Sequence, residues 1–153
     1  MFDLLVVATD GSESGERAVA TALDLASRFD ATVHAVSVVD PGRAAAVSPE
    51  EGEAVTATLR EHASDATEAV AARAPDAVDV TTVVREGDPA ETIVDYAAEV
   101  DADSVALGTR GRGGEGGFVL GSVAEAVVRT CERPVLTVRG KPTGGGGAPG
   151  LDA

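Results

Sequence analysis

Tryptophan is absent from the 153 residues, and tyrosine and cysteine occur once each, as Tyr96 and Cys131. With aromatics at 3%, the core must be built from Val, Leu, Ile and Ala. One cysteine excludes an internal disulfide. No apolar run approaches the roughly 20 residues of a membrane span, and the opening Met1-Phe2-Asp3-Leu4 lacks a basic leader. The expectation is a soluble cytoplasmic protein.

Positive charge is also scarce. Lys141 is the sole lysine, the other basic residues are arginines, and 12 Lys plus Arg face 26 Asp plus Glu, a formal charge of −14. Such a surface repels nucleic acid and anionic membranes, so neither is an expected partner. A carboxylate-rich, lysine-poor composition suits high salt, where screening removes self-repulsion, and reads as halophile-like. An ordinary acidic protein is the plainer alternative.

What is present is an alternation. Residues 3–8 are nearly all apolar, as in a strand buried on both faces. Helical spacing follows in Ala18, Ala22, Leu25, Ala26 and Phe29. A second strand spans Thr32 to Val39, stopped by Asp40-Pro41-Gly42. Ser48-Pro49-Glu50-Glu51 starts a helix whose expected inner face carries Val55, Leu59, His62, Ala63, Ala66 and Val70. Val78 to Val84 is the third strand, and Asp88-Pro89-Ala90-Glu91 begins another helix. Strands at Ser104–Leu107 and Pro134–Val138 flank a glycine-rich loop and a helix over residues 122–131. The order predicts one α/β domain over 1–139, an open doubly wound five-stranded parallel sheet of Rossmann-like kind with helices on both faces. Residues 140–153, with four consecutive glycines and two prolines, read as a flexible tail.

The loop carries the chemistry. Of 18 glycines, those at 108, 111, 113, 114, 116, 117 and 121 fall between a buried strand and a helix. Ligands of open parallel sheets bind outside the carboxyl ends of the strands. Glycines there let backbone N–H groups approach an anion, and a following helix N-terminus favours negative charge. Arg110 and Arg112 against Glu115 leave a local charge of about +1 in an acidic chain. Gly111-x-Gly113-x-x-Gly116 formally matches a dinucleotide fingerprint, but no acidic residue ends the next strand. A P-loop is excluded, because it needs Gly-Lys followed by Ser or Thr, and the only lysine, Lys141, sits in the tail.

Gly108, Gly111, Gly121 and Ser122 have the spacing Gly-x2-Gly-x9-Gly-Ser. With Ala8-Thr9-Asp10-Gly11-Ser12 and the stretch 107–139, this resembles the ATP-binding members of the universal stress protein family. The resemblance implies strand order 3-2-1-4-5 and ATP across the ends of strands 1 and 4. It places Ala8 and Asp10 beside the ribose and the Val38 backbone at the adenine. Gly108, Thr109, Gly111, Arg112, Gly113 and Gly114 would cradle the phosphates, with Gly121, Ser122 and Val123 completing the grip. Mg²⁺ would be held by the phosphates. It also implies a homodimer through the apolar edge strand 134–138, an edge that invites pairing.

Plainer roles stand beside these. Asp10 can merely turn the chain, Val38 can be core, and Ser122 with Glu125 can form a capping box. His34 reads as a core or edge histidine, His62 as packing, and Cys131 as a small buried hydrophobe. Three functions remain open: a stress-response module with ATP as conformational or partner switch, a slow ATPase, or a nucleotide-free scaffold. Hydrolysis has only Asp10 and two loop arginines to draw on.

Overall fold

The computed structural model describes residues 2–44, 49–109 and 120–140. The elements run β1 (Leu4–Ala8), α1 (Glu13–Phe29), β2 (Thr32–Val39), α2 (Pro41–Ala44), α3 (Pro49–Arg73), β3 (Val80–Glu86), α4 (Pro89–Glu99), β4 (Ser104–Gly108), α5 (Ser122–Thr130) and β5 (Val135–Val138). The strands form one parallel sheet in the order β3-β2-β1-β4-β5. The expected architecture and strand order are both present.

Successive strand side chains point to opposite faces, and both faces here are apolar. Leu5, Val7, Val33 and Ala35 pack beneath α1 and α3, with Ala18, Ala22, Ala26 and Val70. Val6, Val36, Val105 and Leu107 pack beneath α4 and α5, with Ile93, Tyr96, Ala97, Ala124 and Val127. Val6, Val7, Val33, Val36 and Val105 are fully buried, each contributing roughly 1.5–3 kcal/mol. The chain moves outward from β1 to β2 and β3, then returns to lay β4 and β5 on the other side. The sheet therefore reverses between β1 and β4, where a crevice opens at the carboxyl ends.

Several local expectations are corrected. His62 is exposed; the inner line of α3 is Ala63, Thr67 and Val70. Thr67 is tolerated there because its hydroxyl donates to the Ser64 carbonyl at 3.0 Å. β3 begins at Val80 rather than Val78 and continues to Glu86. A short α2 follows β2, its start held by Asp40 Oδ1 accepting from the Gly42 N–H at 2.8 Å. Cys131 ends α5 instead of lying within it, and is half-buried. The Ser48 cap, most of the glycine-rich loop and the tail 141–153 lie outside the described residues.

Candidate functional site

The crevice begins where the ladders stop. The last β1–β4 pair is Val7 with Ala106, and the last β1–β2 pair is Ala8 with Val36. Beyond them, the Thr9 N–H donates to the Val36 carbonyl at 2.9 Å, and β1 gives way to α1. The turn is dense in small polar groups. Thr9 Oγ1 accepts from the Gly11 N–H at 3.3 Å, and Asp10 Oδ1 from the Ser12 N–H at 2.9 Å. Ser12 Oγ caps α1 by accepting from the Gly15 N–H. Gly11 sits at φ 81°, a conformation that favours glycine.

Asp10 is exposed at the end of β1, with one carboxylate oxygen engaged in the turn. Ala8 is the last β1 residue and half-buried. Val38 has a specific backbone position. In β2, the Val33 N–H and the Val39 carbonyl bond toward β3, whereas the Val36 carbonyl bonds toward β1. Strand period two turns the Val38 N–H and carbonyl the same way as those of Val36. They look over the end of β1, two residues past the last β1 pair. Its side chain, half-buried, packs on the α4–α5 face.

On the other wall, Gly108 ends β4 against the first turn of α1. A Cβ on Gly108 would stand 2.5 Å from Ser14 Oγ, 2.6 Å from the Ser14 carbonyl carbon and 2.7 Å from the Gly15 nitrogen. The glycine is required for this close approach, whatever else its backbone does. Thr109 is buried, and its N–H donates to the Val138 carbonyl at 2.9 Å. Its own carbonyl accepts from the Gly121 N–H. The two ends of the glycine-rich segment therefore lie side by side at the crevice. Gly111, Arg112, Gly113 and Gly114 lie outside the described residues.

At α5 the capping-box expectation is corrected. Gly121, with φ −64° and ψ 161°, is the N-cap, and no side chain caps this helix. The register is set one residue earlier because the Gly121 carbonyl accepts from the Glu125 N–H at 2.9 Å. Ser122 is thus the first helical residue and exposed, and its hydroxyl is not used to start the helix. Glu125 pairs with Arg129 instead. Val123 is half-buried on the α4–α5 face. Sequence reasoning missed Ser14 and Gly15, which join α1 to Gly108. The only signal was a run of small residues after Ser12.

Away from the crevice, His34 Nδ1 and the Tyr96 hydroxyl are 2.6 Å apart on the α4 side of the sheet. Burial holds the His34 pKa below its ordinary value and raises that of Tyr96, with the nearby Arg85 opposing the rise. The Arg85 guanidinium stacks over the Tyr96 ring at 5.0 Å and pairs with Glu99. This histidine is satisfied in the way the plainer reading expected. No described residues form a group of three or more His, Cys, Asp or Glu able to hold a metal ion. No helix among them is long and apolar enough to cross a membrane.

These features define a doubly wound parallel α/β protein with a crevice at its switch point, walled by the β1 turn, the end of β2 and the glycine-bearing end of β4. Residues 1–139 match the model of the Universal stress protein family. Universal stress protein MJ0531 of Methanocaldococcus jannaschii is 36% identical over 142 residues, covering 91% of this chain and 83% of that one. Among solved structures, the hypothetical protein MJ0577 aligns with a TM-score of 0.82 at 26% identity, over 94% of this chain and 99% of that one. A universal stress protein solved in complex with cAMP aligns with a TM-score of 0.62 at 31% identity, over 90% and 97%. The chain belongs to the Universal stress protein family.

Proposed function

We propose that this protein binds an adenine nucleotide, ATP in the first place, in the crevice between β1 and β4, and acts as a nucleotide-dependent regulatory module in stress response. The observation that carries the reading is the convergence of the Val38 backbone, the β1 turn and the paired ends of the glycine-rich segment at one point. A related universal stress protein was solved in complex with cAMP, which supports an adenine ligand for this chain.

In this reading the Val38 N–H and carbonyl address the adenine edge, and Ala8 with Asp10 flank the ribose. The loop from Gly108 to Gly114 takes the phosphates through N–H groups, that of Arg112 included, while Thr109, whose N–H is committed to the Val138 carbonyl, anchors the loop beside them. The Gly121 N–H is committed to Thr109, so Gly121 contributes by opening α5 toward the ligand. Ser122 offers its exposed hydroxyl, and Val123 seats the first turn of α5. The described residues have no carboxylate cluster for a divalent ion, so Mg²⁺ would arrive on the phosphates. Asp10 spends an oxygen on the Ser12 N–H, which suits a turn-former better than a base for hydrolysis.

Calorimetric titration with ATP, in the molar salt the acidic composition suits, tests the reading. Saturable binding that Gly111→Val removes, without loss of fold by circular dichroism, is expected. Absence of binding by the native chain refutes it.

A further inference from the structure

The first turn of α1 stands between the two sides of the candidate site, and its small residues decide how closely they meet. Gly15 backs onto the β1 turn: a Cβ there would stand 3.1 Å from Ser12 Oγ and 3.3 Å from Asp10 Oδ1. Ser14, one residue earlier, is buried against the end of β4. Its Oγ is the atom nearest the Cβ position of Gly108, at 2.5 Å. A Cβ at Gly140, where the chain leaves β5, would meet the Cβ of Ser14 at 3.4 Å and its Cα and nitrogen at 3.5 Å. The end of β4, the start of α1 and the exit from β5 thus meet at one serine.

Both neighbours of Ser14 lead to Thr109. Gly108 is joined to it by a peptide bond, and Gly140 lies two residues past Val138, whose carbonyl accepts from the Thr109 N–H at 2.9 Å. Thr109 in turn accepts from the Gly121 N–H, so it carries both ends of the glycine-rich segment. A larger side chain at position 14 is not relieved by moving α1 back, since Gly15 already packs on the β1 turn. The displacement falls on Gly108 or on Gly140, and by either route on Thr109. Close-packed interiors transmit such strain rather than absorb it.

We propose that Ser14 is a positioning residue for the phosphate end of the ligand, its small side chain holding Thr109 where the glycine-rich segment meets the phosphates. This inference rests on the nucleotide-binding reading above. The contacts that reading gives to the base and ribose, on Val38, Ala8 and Asp10, do not pass through Thr109. A change at Ser14 therefore acts on phosphate binding and spares nucleoside binding.

The test compares ATP, AMP and adenosine affinities of the native chain, Ser14→Val, Ser14→Thr and Val70→Ala by calorimetry in molar salt. Ser14→Val is expected to bind ATP about ten-fold more weakly, the affinity equivalent of one badly seated methyl group in a packed interior. Its adenosine affinity is expected to stay within about two-fold of native, which also reports an intact fold. The AMP loss falls between the two, so the order is read even from the phosphorylated pair. Ser14→Thr keeps the hydroxyl and adds one methyl; it should show the same order of losses, and it carries the test if Ser14→Val does not fold. Val70→Ala, a core truncation on α3, should lower the denaturant midpoint and leave the ratio of ATP to AMP affinity native, so that lost stability alone does not imitate the effect. Native-like ATP binding by the folded Ser14 variants, equal losses for all ligands, or the same changed ratio in Val70→Ala overturns the inference while leaving the nucleotide site standing. A native chain that binds no nucleotide removes the parent reading and this one with it.

Discussion

The Gly121 amide donates to the Thr109 carbonyl, so the residue ending β4's loop entry and the residue capping α5 are in direct contact. Thr109 is itself tied to β5 through the Val138 carbonyl, which makes the segment between them an excursion from a fixed base. Under the proposed function, fixed ends lower the entropy cost of closing the segment on a ligand. The glycines at its two ends consequently have different duties from those inside it.

Gly108 and Gly111 should separate under mutation. Gly108→Ala forces a methyl group against the backbone of Ser14 and Gly15, at distances no rotamer change relieves. A loss of about 1–3 kcal/mol of stability is expected, read as a lower denaturant midpoint at constant slope. Gly111→Val should leave the midpoint nearly native while removing ATP binding. A stable Gly108→Ala protein would show that α1 does not bear on β4 as closely as described.

Asp103 fastens the start of β1. Its Oδ2 accepts from the Asp3 N–H at 2.7 Å and the Leu4 N–H at 2.9 Å, and these bonds hold its pKa below the usual 3.8. A depressed carboxylate stabilises the fold above its unfolded pKa, and the contribution fades as pH falls through the folded value. Asp103→Ala should cost about 1 kcal/mol near neutrality. It should also flatten the loss of stability between pH 4 and lower values. Denaturant titrations across that range check both, and an unchanged acid limb would count against the latch.

His34 works in a different window. Burial lowers its pKa from 6.5, so below that pH the unfolded chain takes up a proton the folded chain resists. Stability should therefore be flat for this group above pH 6.5 and decline as pH drops beneath it. His34→Gln should remove that decline, with the Asp103 limb at lower pH untouched. Tyr96→Phe deletes the 2.6 Å partner and should change the His34 titration seen by NMR. An identical imidazole titration in Tyr96→Phe would mean the hydroxyl plays no part.

The inner strands β1 and β4 were legible because a parallel sheet covered on both faces needs nearly unbroken apolar runs there. The exposed edge strand β3 carries polar residues, and its bounds were displaced. The start of α4 was legible too, since Asp88 does accept from the Glu91 N–H, with Pro89 at the first helical position. The inner face of α3 was less so. In an alanine-rich helix small apolar residues occur all round, and a buried Thr67 and an exposed His62 exchange the roles that polarity alone gives them. At Ser122 the capping pattern was real but displaced, because Gly121 can take the cap conformation and fixes the register through its carbonyl. The wedge of Ser14 between Gly108 and Gly140 had no local signature. It arises from tertiary packing of segments distant in the chain, and a glycine needed for close approach looks, in sequence, like one kept for a phosphate.

The proposed homodimer rests on the outer edge of β5, and the ladder says which atoms are there. Val105 donates to the Pro134 carbonyl and Thr109 to that of Val138, so the even-numbered residues of β5 face β4. The main-chain groups of Val135 and Thr137 therefore point away from the sheet. All four β5 residues are half-exposed, no described strand pairs beyond β5, and Val128 of α5 is 47% exposed. Proline at 137 would remove an outward N–H without breaking a bond to β4, the one place a strand tolerates it. Thr137→Pro is expected to convert the dimer to a folded monomer, seen as a halved mass by light scattering with the circular dichroism spectrum retained. A native chain that is already monomeric, or a Thr137→Pro chain that stays dimeric, would mean this edge is not where two copies meet.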